Sequence, residues 1–531
     1  MSKKKNNFNN TEVTAVKDKY NVSKAVINYY LVLMFTVFPL FYTNQFSKIR
    51  HDKFYVYMGL SIALILLELV VLIINLFDKG RVRNLREKKW YQQLTVPDFA
   101  FTALIAVYVI STLLSKTPLD AFTGEAGRNN GLLIFILFFA VYLIISRLYR
   151  VKEYVFVVMA AGCFAVYLLS ILNFFYIDPL NMYAGYDQNT IIDFTATIGN
   201  KNIMSAFCCL TTPLFMMLYM NRKHKTFKFV YLAVCGTGFA SMLCSDSESG
   251  FLGFVPILAL ILLFYSRNIS MLRKYFTAIS SMLICSKLLI AFSLASRGVE
   301  KGFGTMQTLF IYDYKSLIAI VIMLVVVFAL WYIEDKNSEV VIPKAVPIAL
   351  GALYAVIFAV IVGLFVRYSF IDTNSKLGGV MTFFRFNEKW GTHRGFMWIK
   401  GWEIFKTSGV KNALIGSGPD TFYHMFLPYF SELSEKFNNS STNCAHNEFL
   451  NYLVTTGVLG LGAYVTLFVS AVVRAVKAAK FNAMTVVFIA PVVCYLFQSV
   501  VNIANPIVTP ILFIFLAMSE AMVRQAKTDN D

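Results

Sequence analysis

The sequence predicts an all-α polytopic integral membrane protein, and three observations carry that prediction. Hydrophobic residues fill 57% of the 531 positions and charged residues only 15%, against roughly a quarter charged in an ordinary soluble domain. Apolar runs long enough, at helical rise, to cross a hydrocarbon core recur along the chain. One long polar stretch, 367–448, interrupts them. About fourteen transmembrane helices are expected, within a range of 12–14.

Each element has its own reason. Residues 1–24, with Lys3, Lys4, Lys5 and several Asn, lack the apolar core and cleavage site of a signal peptide and read as a disordered cytoplasmic tail. A transmembrane bundle follows over 25–366, with eleven apolar runs at 26–44, 54–77, 97–115, 130–147, 153–177, 202–220, 227–244, 250–266, 273–294, 316–333 and 345–366. Polar or basic turns separate the runs and set their ends. The stretch 367–448 is too long and too rich in chemistry for a connector; it holds three of the five Trp, three of the five His and nine Lys or Arg. It reads as an extracytoplasmic loop with interfacial helices that caps a lipid-open cavity. Three final spans lie within 449–524, at 449–473, 482–501 and 506–523, before a short cytoplasmic tail at 525–531.

Basic residues orient the bundle, because Lys and Arg stay on the cytoplasmic side of short loops. With the N-terminus inside, the cytoplasmic loops hold Lys79, Arg81, Arg83, Arg86, Lys88 and Lys89, then Arg147, Arg150 and Lys152, then Arg222, Lys223, Lys225 and Lys228, then Arg267, Arg273 and Lys274. Both termini are therefore expected in the cytoplasm and the long loop outside. The same placement accounts for the net charge of +18, as topology and contact with anionic membrane lipid, so nucleic acid is not an expected partner. Most of the eight Cys fall inside spans, with no disulfide framework and no metal-ligand spacing. Asn438 and Asn439 open glycosylation sequons, which the bacterial cast of the Lys, Asn, Ile and Phe usage sets aside. Glu68 and Lys287 lie inside predicted spans, where an unpaired ion is costly; they are read as a structural pair or as part of an ion path.

Four polar segments share the outer face: Thr123–Gly131, Gly199–Asn202, Ser245–Gly250 and the long loop. The second opens a helix, whose N-terminal N–H groups favour an anion. In the loop, Arg394 and Trp398 lie four apart on a predicted helix of about fifteen residues, on the same face and one turn apart, with Trp402 and Phe405 extending its apolar stripe at headgroup depth. Gly416-Ser417-Gly418-Pro419 ends it. An aromatic stripe from Phe422 to Phe430 follows, read as packing or lipid contact, and then Ala445-His446-Asn447-Glu448 at the mouth of the next span. Arg128, Arg394 and His446 are thereby expected at one depth. A guanidinium grips phosphate oxygens with a planar fork and keeps its proton, while an imidazole can take a proton from a hydroxyl near neutral pH. That grouping suits a phosphorylated lipid substrate.

The ordered set His393-Arg394-Gly395-Phe396-Met397-Trp398, Leu414 to Phe422, Ala445-His446-Asn447-Glu448-Phe449-Leu450 and Thr456-Gly457-Val458-Leu459-Gly460 resembles the bacterial O-antigen ligase and O-antigen polymerase family. Arg128 with Gly131-Leu132-Leu133, Gly199-Asn200-Lys201-Asn202 and Ser249-Gly250-Phe251-Leu252-Gly253 are similar to that family's upstream landmarks, so the resemblance runs from about residue 120 to the C-terminus. Lys201 stands where a small residue or Pro is more usual, and Asp246 and Glu248 make the third landmark more acidic. Fourteen spans exceed the number usual for ligases, which leans toward a polymerase-like or unassigned member and leaves the acceptor open.

The resemblance implies a GT-C-like glycosyltransferase of envelope polysaccharide assembly in the bacterial cytoplasmic membrane, working on its outer face without metal or other cofactor. Its donor would be a glycan on a polyprenyl diphosphate such as undecaprenyl diphosphate, its acceptor a hydroxyl of another glycan or of a lipid, and other assembly proteins its partners. Arg128 and Arg394 would hold the diphosphate and His446 would orient or deprotonate the acceptor, with inversion at the sugar carbon. Asn447 and Glu448 would support His446, and Lys201, Asn202, Trp398 and Glu248 would contact substrate. Taken singly, Arg128 and Lys201 also suit headgroup anchors, His446 a helix cap, and the loop 245–249 a plain polar turn; His393 and His424 read as surface residues. A lipid-linked oligosaccharide flippase is the alternative, although it would line its path with intramembrane charges. A noncatalytic scaffold is a third reading.

Overall fold

The computed structural model describes residues 22–77, 94–222, 224–337, 340–438 and 442–528. The expectations for most of the N-terminal tail, the basic loop from Lys79 to Lys89, Lys223, Asn439 and the last three residues lie outside them.

Helix dominates because the chain is apolar over whole spans and each span must close its own backbone hydrogen bonds. The membrane helices are α1 (Val22–Leu40), α2 (Ile49–Leu76), α3 (Val96–Leu113), α4 (Leu132–Leu148), α5 (Glu153–Phe174), α6 (Lys201–Asn221), α7 (Lys225–Cys244), α8 (Ser249–Tyr265), α9 (Ile269–Ala295), α10 (Tyr314–Lys336) and α11 (Ala345–Val366). The first two α-helices of the polar stretch follow, α12 (Trp390–Thr407) and α13 (Gly409–Ile415). The chain then re-enters the bundle with α14 (Glu448–Ala478), α15 (Met484–Gln498) and α16 (Thr509–Thr528). Each of the fourteen predicted runs thus has a helix. Eleven of the helices are long and apolar enough to cross a membrane by length and composition, and α4 and α8 are shorter apolar helices. The protein is an all-α polytopic membrane protein; its only sheet among the described residues is a two-stranded hairpin at Phe194–Asn200.

Burial is uneven. Nearly all of α6 is buried, and it forms the centre of the bundle with α15 and α16. α11 has no buried residue and α10 has two, so both stand at the periphery. The charges within spans find local partners, although Glu68 Oε1 is left buried without one among the described residues. Glu68 accepts from Ser23 at 2.8 Å, and Lys287 donates to the carbonyls of Ile311 and Asp313 at 2.6 and 2.9 Å. The mutual Glu68–Lys287 pair considered from sequence is not formed. Lys53, fully buried, donates to the carbonyls of Phe38, Pro39 and Phe41, which takes up orphan acceptors at the end of α1. It thereby fixes the short loop between α1 and α2.

The stretch between α11 and α14 builds a cap with its own core of Phe396, Met397, Ile404, Phe422, Phe426, Leu433 and Phe437, closed by Ala445 and by Val454 of α14. The buried aromatics Phe422 and Phe426 therefore pack rather than form a sugar platform. Two glycine motifs lock cap to bundle. α14 breaks at Gly457, with φ 67° and ψ −173°, so this glycine turn lies inside a long helix rather than at a span's end. A Cβ on Gly457 would sit 2.3 Å from the Leu414 carbonyl carbon, and one on Gly416 would sit 2.1 Å from the Thr455 oxygen. The end of α13 and the break of α14 cross backbone to backbone, a closeness that only glycine allows.

Candidate functional site

Arg394 opens the regular part of α12. The three residues before it, Gly391, Thr392 and His393, have left-handed φ of 58°, 58° and 69°, a kink that frees the first turn and lets Arg394 Nη1 donate to the Gly391 carbonyl at 2.9 Å. Gly395 permits this geometry, since a Cβ there would sit 1.8 Å from the Asn387 oxygen. One turn along the same face, Trp398 donates its indole N–H to the Ala445 carbonyl at 3.0 Å. The spacing of Arg394 and Trp398 has a structural meaning: the tryptophan bolts α12 to the residue before His446 and sets the arginine beside it. Asn451 accepts from the Ala445 N–H on the other side, at 3.3 Å.

Arg128 reaches the same place from the loop before α4. It is almost fully buried, pairs with Asp420 at 2.7 Å and donates to the Asn443 carbonyl at 3.1 Å. Asp420 also accepts from the backbone N–H groups of Glu125 and Asn130, at 2.9 and 3.1 Å. Burial raises the Asp420 pKa, and Arg128 and these two donors oppose that shift. Asp420 follows the Gly416–Pro419 turn, so the clamped backbone crossing delivers it to Arg128. Asn130 donates to the Ala504 carbonyl at 2.6 Å. A small cleft opens between these groups, lined by Tyr108, Arg128, Asp420, Glu448, Tyr452 and Ala504 among others.

His446 is half-buried, with φ 47°. Burial and then the charges of Arg394, Arg128 and Arg50 push its pKa down to about 3. The imidazole is therefore neutral and surrounded by guanidinium fields. Asn129, Thr392, His393, Asp420 and His446 are five of the twelve described non-glycine residues with positive φ, a concentration of backbone strain of the kind found at functional sites. The Nε atoms of Arg128 and Arg394 are buried with no hydrogen-bond partner among the described residues. Buried donors of this kind call for an acceptor.

The remaining predicted site residues serve elsewhere. Asn447 caps α14 by accepting from the Leu450 N–H at 3.0 Å. Glu448 accepts from Tyr464 and Tyr495, at 2.6 and 2.9 Å, and so ties α14 to α15. The support of the His446 segment comes from Asn451. Lys201 pairs with Asp193 at 2.9 Å. Asn202 accepts from Ser247 at 2.7 Å and, through its carbonyl, from Asn502 at 3.2 Å, joining two of the landmark loops. Glu248 is exposed as a residue, and partial desolvation of its carboxyl and then the neighbouring Asp246 raise its pKa. His393 stacks on Phe437 with ring centroids 4.1 Å apart, and His424 pairs with Asp120 at 2.9 Å. Sequence reading missed Asp420, Asn451 and Arg50. The Asp after the glycine turn was the one available signal.

Residues 306–465 match the family described as O-antigen ligase. The matched segment contains Arg394, Asp420 and His446 and the whole cap. No curated protein matches the chain. The resemblance to the O-antigen ligase and polymerase family is thereby borne out: the chain is a polytopic membrane protein of polysaccharide assembly that carries an O-antigen ligase domain at residues 306–465.

Proposed function

We propose that this protein is a metal-independent membrane glycosyltransferase that moves a glycan from a polyprenyl diphosphate to an acceptor hydroxyl on the extracytoplasmic face, both chain termini being cytoplasmic. The observation that carries the reading is the pair of unpartnered guanidinium Nε atoms beside an unprotonated, strained His446. Asp420 balances Arg128, but no carboxylate among the described residues pairs with Arg394. Arg394 thus has no counter-charge among the described residues, which a diphosphate supplies.

In the reaction, His446 accepts the acceptor's hydroxyl proton as the oxygen forms a bond to the anomeric carbon from the face opposite the leaving group. The bond from that carbon to the diphosphate oxygen breaks, and the electron pair departs with the polyprenyl diphosphate. Arg394 and Arg128 hold the charge that develops there. Burial first, and then the charges of three guanidiniums, lower the basicity of His446; a bound diphosphate offsets the guanidinium share and raises the proton affinity of the imidazole. The donor's arrival thereby strengthens the base. Trp398 keeps Arg394 and the His446 segment in register.

The test is glycan transfer by the purified protein from a fluorescent lipid-linked glycan. His446→Ala is expected to lower transfer about 10²- to 10⁴-fold, the usual worth of a positioned base. Transfer at the wild-type rate would remove the assignment, and movement of the lipid across the membrane without transfer would favour a flippase. A ladder of product lengths marks a polymerase and one discrete adduct a ligase.

A further inference from the structure

Beyond the two arginines expected at the site, α2 brings a third. Arg50 lies in its first turn, exposed and with no hydrogen bond or ion pair among the described residues. Two turns later on the same helix, Tyr57 is buried and its ring meets Phe138 of α4 with centroids 5.4 Å apart. Seven residues bring a helix back to nearly the same face, so Arg50 projects from the face of α2 that looks toward α4. Phe138 is itself about two turns into α4, whose N-terminal loop carries Arg128.

The heights agree as well. Ile49 packs within 3.5 Å of where a Gly199 Cβ would be, at the start of α6. Asn202 in that start bonds Asn502, and Ala504 in the same turn bonds Asn130. The beginnings of α2, α4 and α6 therefore meet at one end of the bundle, under the segment that carries His446. The charge of Arg50 is felt at His446 together with those of Arg394 and Arg128.

Resting on the proposed diphosphate donor, we infer that Arg50 is a third guanidinium of the donor site, binding the diphosphate from the α2 side while Arg128 and Arg394 bind it from the loop before α4 and from the cap. Arg128 is held by Asp420 and Asn443, and Arg394 by the kink carbonyl. Arg50 alone is free to close on the phosphoryl oxygens once the lipid has entered. A diphosphate presents enough oxygens for three such forks.

The competing role for an exposed arginine at a membrane edge is contact with anionic headgroups, which offers the same phosphate chemistry. Both are separated by measuring binding of farnesyl diphosphate to the full chain in nanodiscs, once with zwitterionic lipid alone and once with anionic lipid added. Arg50→Gln is expected to weaken binding about tenfold in both bilayers, and Arg50→Lys, which keeps the charge without the fork, by less. Equal binding by wild type and Arg50→Gln, with binding lost in Arg394→Gln, would overturn the role of Arg50 and leave the diphosphate reading standing. A difference seen only with anionic lipid would overturn it in favour of a headgroup anchor. Absence of binding by wild type would sink the diphosphate reading and this inference together.

Discussion

Two basic clusters sit among the polar loops of this protein, and they resolve their charge in opposite ways. Around Lys301 every donor is used: its ammonium gives hydrogen bonds to the Tyr183 hydroxyl and to the carbonyls of Ile191 and Phe194 at 2.8, 2.8 and 2.5 Å, while neighbouring Lys201 pairs with Asp193. Burial brings the Lys301 pKa down to about 7, as expected of an ammonium held by neutral oxygens. Around His446, by contrast, guanidinium donors remain open and strained backbone accumulates. The first cluster is complete without a ligand and holds the 173–194 loops to the 301 segment. The second leaves the Nε donors of Arg128 and Arg394 without a partner among the described residues, the opening that the proposed diphosphate would fill. The two basic groupings thus differ in whether their hydrogen bonds close internally.

The contrast can be broken most sharply by matched substitutions. Arg394→Gln is expected to lower glycan transfer about ten- to a hundredfold, the worth of one or more charged hydrogen bonds to the leaving group, whereas Lys201→Gln should change it by less than about threefold, since an exposed ion pair contributes little. Equal losses in the two variants, measured as kcat/KM for a lipid-linked donor, would erase the distinction. A smaller effect on activity but a direct one on stability is expected of Gly457→Ala. The added methyl would meet the Leu414–Ile415 backbone and demand a left-handed φ of a non-glycine residue, costing about 3 kcal/mol, to be read as a lowered Tm in detergent.

The gentlest test uses pH. His446 has a folded-state pKa of about 3 against an ordinary 6.5, so below pH 6.5 the unfolded chain binds a proton that the folded chain refuses. Stability contributed by the neutral imidazole is present above pH 6.5 and declines as pH falls toward 3. His446→Gln should therefore flatten the fall of Tm with pH across that window. A slope identical to wild type would mean that the imidazole is not held neutral among the arginines.

Much of the fold was legible because a bilayer imposes one demand on every span, and apolar length answers it directly. All fourteen runs became helices, with α4 starting at Leu132 against an expected 130 and α15 and α6 within a few residues of theirs. The site was legible only in its chemistry-bearing residues. Arg128, Arg394 and His446 announced themselves by type and by their ordered surroundings, and they do lie together. Asp420 did not, because a carboxylate after Gly-Ser-Gly-Pro reads as a turn residue, and its partners near Asn130 are 290 residues away. Asn447 and Glu448 looked like supports for His446 from their adjacency, yet a helix start turns successive side chains in different directions, toward the α14 cap and toward Tyr464 and Tyr495. Arg50 was unreadable until α2 was seen against α4. The left-handed turn at Thr392 and His393 has no signal in residue type at all.

The crossing of Gly416 over Gly457 has a mechanical consequence. With no clearance there for even one methyl group, α13 and the first turns of α14 are in direct backbone contact, and the tryptophan bolt ties α12 to the same region through Ala445. A displacement of the roof that kept these contacts would carry Arg394 and His446 together, and the proposed phosphate grip and proton acceptor would keep their spacing.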